Sequence, residues 1–145
     1  MIKTPCVGVC STGIGDSVCR GCKRFAHEII DWNSYSDFEK QAVLQRLDDL
    51  LAQVVRDRLR VKNSQKLKDQ LILHKITFNN NANEHCLAYE AIRRFGSQLP
   101  NFESIGCAVL PAWRNLATVE LKQIIEEDFY ELSCAHFERY FTGVS

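Results

Sequence analysis

The chain has 145 residues, 46% of them hydrophobic and 25% charged, with 18 Lys and Arg balanced by 18 Asp and Glu. That is roughly one domain at about 150 residues per domain, and the composition is that of a soluble globular protein. It excludes a largely disordered chain, a collagen-like chain and a membrane-embedded bundle. Zero net charge argues against a uniformly basic nucleic-acid binder. The balance is uneven along the chain, however. Residues 1–75 hold 13 basic and 9 acidic side chains, and residues 76–145 hold 5 and 9.

No apolar run approaches the roughly 18 residues that a membrane-spanning helix needs. The opening MIKTPCVGVCSTG lacks the apolar stretch of roughly 7 to 15 residues that marks a signal peptide. The expected compartment is therefore the cytoplasm, where disulfides rarely persist, and no membrane partner is expected.

Seven cysteines are present, and four fall in the first 22 residues as Cys6-x3-Cys10-x8-Cys19-x2-Cys22. An odd count argues against a complete disulfide framework. In a reducing compartment, clustered short-spaced pairs are metal ligands more often than disulfides. The spacing suits a tetrahedral ion, because a tight turn makes two thiolates converge and glycine reaches the positive φ that such turns need. Gly8 lies in the first pair and Gly21 in the second, and 11–17 between them is turn-forming. Cys6, Cys10, Cys19 and Cys22 are thus candidate metal ligands. A thioredoxin-like role for Cys19 and Cys22 would require a preceding strand, and regulatory disulfides would require an oxidising trigger. The spacing differs from the familiar iron–sulfur patterns, so Zn²⁺ is preferred and an Fe–S cluster is the alternative. Lys3, Arg20, Lys23 and Arg24 surround the motif. Cations there favour thiolate, or serve surface solubility. Cys22 is expected to open a helix, whose N-terminal partial charge would act in the same sense.

That helix is predicted over 23–33, with Phe25, Ile29 and Trp32 on one apolar stripe. Arg24 and Glu28 read as a solvated ion pair, with a hydrogen bond from Arg24 near the metal site as the alternative. Ser36 and Glu39 then form a capping box, opening a helix to about residue 60. Its wide apolar face of Leu44, Leu47, Leu51 and Val54 suits packing against Phe25, Ile29 and Trp32.

The pattern Pro5-Cys6-x3-Cys10-x8-Cys19-x-Gly21-Cys22-x-Arg24-x3-Glu28-Ile29-x2-Trp32, continued by Glu39, Val43 and Leu47, resembles a short bacterial family, the domain of unknown function twelve-eighty-nine. Its members are commonly described as predicted Fe–S proteins. The resemblance covers roughly residues 4–50 and implies metal binding by the same four cysteines. It implies no established activity.

Between Arg56 and Lys75 seven cations face two anions, and Asn63-Ser64-Gln65 interrupts the helical pattern. Arg56, Arg58, Arg60, Lys62, Lys66 and Lys68 could follow nucleic-acid phosphates, or could complement the macrodipole of a helix end. The aromatic side chains that single-strand binders interleave with their cations are absent between Phe38 and Phe78. Residues 70–78 read as a strand by alternation of Ile72, His74, Ile76 and Phe78. A helix over 84–95 ends at Gly96, and a short strand is expected within 104–110. A last long helix follows over 119–141, capped by Thr118. Cys86, Cys107 and Cys134 have apolar neighbours and read as buried inert thiols. A second metal site built from them with His85 and His136 is the less favoured reading. No catalytic motif is readable.

The fold class expected is α+β and mostly helical: an N-terminal four-cysteine metal knuckle on a helical pair, then a small α+β region. The division expected is 1–60 and 61–145, or one continuous globular unit. The function expected is a non-catalytic, zinc-stabilised interaction or adapter module with a protein partner. The alternatives are an iron–sulfur protein in electron transfer or cluster delivery, and an RNA- or DNA-binding adapter.

Overall fold

The structure, a computed structural model, describes residues 4–8 and 10–141. The fold is α+β and mostly helical, as expected. The elements are helices α1 (Ala26–Asp31), α2 (Asp37–Arg56), α3 (Ser64–Leu73), α4 (Glu84–Phe95) and α5 (Thr118–Phe141) and two short strands, β1 (Leu59–Val61) and β2 (Cys107–Val109). The chain divides into two compact units, residues 1–50 with 127–145 and residues 51–126. The division therefore falls within α2 and within α5, and the first unit draws on both ends of the chain.

In the first unit, the capping box at Ser36 forms as expected. The Glu39 amide donates to Ser36 Oγ at 3.1 Å, and the Ser36 amide donates to Glu39 Oε1 at 3.1 Å. Helix α1 is shorter than the predicted 23–33. Residues 22–25 are tied into a hairpin, so the helix starts only at Ala26, and Cys22 does not open it. The Phe25 amide, left over at that start, donates to Glu28 Oε1 at 2.8 Å. Phe25 and Trp32 are buried in the core with Val43, Leu47 and Leu50 of α2. The last turns of α5 complete this core, with Phe129 buried and the Phe137 ring edge-on to Phe25 at 5.3 Å.

In the second unit, α2 ends at Arg56 instead of continuing to 60, and β1 pairs antiparallel with β2 in the register Leu59↔Val109, Arg60↔Ala108 and Val61↔Cys107. Alternation around the exposed Arg60 decides this: Leu59 is fully buried on one face. The expected strand at 70–78 is corrected: 70–73 close helix α3, and 74–78 are a turn and irregular chain. Leu67 and Leu71, four apart, are fully buried and bring α3 against α4, and Asn63 Oδ1 caps the helix by accepting the Lys66 amide at 3.0 Å. Ile72, one of the alternating set, is exposed. Helix α4 and strand β2 fall where they were expected. Tyr89 on α4 donates its hydroxyl to the Glu126 carboxylate.

Candidate metal centre

The segment from Ser17 to Ala26 is a hairpin. Val18 and Phe25 form an antiparallel bridge. The Cys19 amide donates to the Arg24 carbonyl at 2.9 Å, the Lys23 amide to the Cys19 carbonyl at 2.8 Å, and the Ala26 amide to the Ser17 carbonyl at 2.9 Å. Reversing the chain in so few residues demands a left-handed residue after the second cysteine. That residue is Lys23, with φ of 65°, a conformation costing about 1–3 kcal/mol for a residue with a side chain. Its Nζ donates to the Gly21 carbonyl at 3.0 Å and lies 5.3 Å from the Phe129 ring centre.

This turn places Cys19 and Cys22 side by side in the interior, with 1% and 7% of their surface exposed. Burial by itself raises the Cys19 thiol. The backbone N–H groups of Cys22, Ser11 and Gly21, joined by the Cys22 thiol, outweigh it and bring Cys19 down from 9.0 to about 7. A sulfur surrounded by three backbone donors is an environment built for thiolate. Cys22 is shifted the other way. Burial dominates and raises it, against a hydrogen bond and an opposite charge from Arg24.

The first pair is less enclosed. Cys6 and Cys10 are exposed. The Gly8 amide donates to Cys6 Sγ at 3.4 Å, and Gly8 has φ of 91°. This repeats, two residues after the first thiol, the contact that Gly21 makes to Cys19. Cys10 Sγ meets Thr12 Oγ1 at 3.0 Å. The next residue, Ser11, touches the hairpin twice: its N–H reaches the Cys19 sulfur and its Oγ accepts the Arg20 amide at 2.8 Å. The peptide unit that follows Cys10 is thus anchored on Cys19. The structure assembles Cys19 with Cys22 and brings the backbone of Cys10 against them. Among the described residues, no three His, Cys, Asp or Glu side chains converge as ligands of one ion.

The surrounding charges differ from the sequence expectation. Lys3 lies outside the described residues, and Arg20 is exposed beside Asp16 at 3.4 Å. Lys23 and Arg24 are not surface solubilisers, being 2% and 3% exposed. Arg24 does not pair with Glu28. Its Nε donates to Cys22 Sγ at 3.3 Å and its guanidinium lies 4.9 Å from the Trp32 ring centre. Glu28 instead holds Arg46 through two bonds of 2.5 and 2.7 Å, and the Arg46 guanidinium stacks 4.0 Å over Phe25. Sequence reasoning missed Ser11 and Arg46 as parts of this site, and it placed a hydrogen bond from Arg24 near the cluster only as the less favoured reading.

The residues present fit a thiolate-bound metal. The donor set is entirely sulfur, one thiol already sits among three N–H donors, and a buried cation touches its neighbour. The remaining candidates are dispersed. Cys107 is buried on β2, while Cys86 and Cys134 are half-buried and belong to different units. Of the six cations proposed for phosphates, Arg56, Arg60, Lys62 and Lys66 are exposed and Lys68 is half-buried. Arg58 is buried, donating to the Val54 carbonyl at 3.2 Å and stacking 4.8 Å over Trp113.

Fold and site together define a mostly helical α+β protein with a cysteine hairpin at its start. Residues 4–51 match the family described as Protein of unknown function (DUF1289), and the resemblance seen in the cysteine pattern is a DUF1289 segment. Relatives include the uncharacterized protein YdhL of Escherichia coli (strain K12) and the protein of the same name from Shigella flexneri. Each is 43% identical over 44 residues, covering 30% of this chain and 54% of the relative. The chain thus spans about half the length of the curated relatives it matches. No solved structure matches it. No helix among the described residues is long and apolar enough to cross a membrane.

Proposed function

We propose that Cys6, Cys10, Cys19 and Cys22 bind one metal, zinc in preference to an iron–sulfur cluster, and that the chain is a non-catalytic interaction module stabilised by it. The observation that carries this reading is the Cys19–Cys22 hairpin, where one buried sulfur collects three backbone N–H donors and the other lies beside it. Bound zinc in a four-thiolate set has no open coordination position, so its contribution is structural. Binding energies of roughly 10–16 kcal/mol in small zinc sites are ample to hold the exposed Cys6–Cys10 segment onto the hairpin. The expected partner is a protein: burial of Arg58 breaks the run of cations that would follow a phosphate backbone. Cytoplasmic localisation accords with seven cysteines that form no disulfide among the described residues.

Metal content of the full chain, purified anaerobically, tests the reading. One zinc per chain and no visible absorption is the expected result. Iron with visible absorption overturns the choice of zinc and supports the cluster. Neither metal, at any loading, overturns metal binding. Replacing Cys19 with Ser should abolish stoichiometric zinc, and a Cys19→Ser protein that retains it removes Cys19 from the ligand set. Nucleic-acid affinity that falls steeply as salt rises would overturn the assignment of a protein partner.

A further inference from the structure

Among the described residues of the first unit, the charged side chains Lys23, Arg24, Glu28 and Lys40 are buried, at 2%, 3%, 4% and 8% exposure. Glu28 is committed to Arg46 through both carboxylate oxygens. Lys40 lies 5.8 Å from the Trp32 ring centre and Arg24 lies over the same ring. Among the described residues Arg24 has no carboxylate partner. The polar group its side chain donates to is the sulfur of Cys22.

A buried guanidinium with no carboxylate partner, set against a sulfur and an aromatic face, is poorly compensated unless that sulfur carries negative charge, because burying a charge is costly unless an opposite charge or full hydrogen bonding accompanies it. Cation–π contact recovers part of this. The remainder calls for an anion at the position of Cys22. A centre of four thiolates around one divalent zinc supplies it, with a formal charge of about −2.

We infer that Arg24 is a positioning residue for the metal centre: it orients Cys22 as a ligand and neutralises charge that the four thiolates place in the interior. This rests on the metal-binding reading above. Arg24 acts through Cys22 and is not itself a ligand. The surroundings of Arg24 are therefore matched to the metal-loaded state, and Arg24 couples metal affinity to the stability of the hairpin.

The experiment compares full-length wild type, Arg24→Met and Arg24→Lys, each zinc-loaded and metal-free. A chromophoric chelator is titrated to measure zinc release, and thermal unfolding is followed in both states. Partners of metal ligands change affinity by about 10- to 100-fold when removed. Arg24→Met should therefore release zinc in that range more readily, while Arg24→Lys, which keeps a positive charge, should stay within a few-fold of wild type. The rise in melting temperature produced by zinc should shrink in Arg24→Met, because its metal-free form no longer buries an uncompensated charge. Equal loss of stability in the loaded and metal-free forms, with zinc affinity unchanged, overturns the inference and leaves Arg24 a packing residue on Trp32. Equal zinc loss in Lys and Met variants overturns the role of charge, and it does so even if the Met variant folds poorly. Wild type that binds no zinc and no iron overturns the metal-binding reading itself, a result distinct from either.

Discussion

At the scale of single residues, some positions tolerate almost no change. Gly106 has φ of 73°, and a Cβ built there would stand 2.4 Å from the Asn63 carbonyl oxygen. The Gly106 carbonyl also accepts the amides of Lys62 and Asn63 at 2.8 and 3.0 Å, so the backbone cannot withdraw without breaking the end of β1. Gly106→Ala is expected to cost roughly 2–5 kcal/mol, combining left-handed strain with overpacking. Urea unfolding that shows less than about 1 kcal/mol would contradict the close approach. Cys107, the next residue, illustrates the opposite environment to Cys19. Burial, reinforced by the nearby Glu84 charge, pushes its thiol up from 9.0 to about 12. A raised folded value means stability that is present below about 9 and is lost as pH climbs through 12. Iodoacetamide at pH 8 should therefore leave Cys107 unlabelled in the native protein and modify it once urea exposes it. Labelling of native Cys107 at the rate of a free thiol would refute its burial. Cys19 and Cys107 are thus separated by whether backbone N–H groups surround the sulfur, a distinction that residue identity does not carry.

At the scale of elements, sequence signals succeeded where the deciding interactions are local. The Ser36–Glu39 box is made within four residues, and the helix it opens was legible from them. Helix α4 and its stop at Gly96 were legible for the same reason. Residues 70–78 misled because alternation and helical periodicity overlap over so short an apolar run. Leu67 and Leu71 decide for the helix through tertiary burial, and the cap that starts it, Asn63, lay inside the stretch read as an interruption. Asn63→Ala should lower the stability of α3 by about 1 kcal/mol, read as faster amide exchange at Leu67 and Leu71. Unchanged exchange there would show that packing against α4 alone fixes the helix. The short α1 has a similar lesson. Its predicted start at residue 23 follows the apolar stripe correctly, but the hairpin claims residues 22–25 through bonds to Ser17 and Cys19, and such pairings are not encoded in helical periodicity.

At the scale of the whole chain, the cysteine motif was legible from spacing, and the partners that hold it were not, because several come from more than 100 residues away. Phe129, Tyr130 and Phe137 of α5 meet Lys23, Arg20 and Phe25 at centroid distances of 5.3, 4.4 and 5.3 Å. A break after residue 60, natural from the sequence, would strip these from the unit that contains the hairpin. Closing that unit also costs loop entropy over the intervening chain, although this grows only slowly with length. Helix α5 covers part of the hairpin: Phe137 lies edge-on to Phe25, and Val18 lines a cavity with Tyr130, Cys134 and Phe137. A fragment of residues 1–60, metal-free, should therefore lose native protection of the Cys19 and Lys23 amides, each bonded across the turn, by at least about 100-fold relative to the full chain, the equivalent of about 3 kcal/mol. If the proposed zinc site is right, zinc should restore part of that protection, because the metal and α5 would stabilise the same turn by independent means. Full protection in the metal-free fragment would mean that the hairpin stands on residues 1–60 alone, and α5 would then have to be explained by something other than the support of the cysteine site.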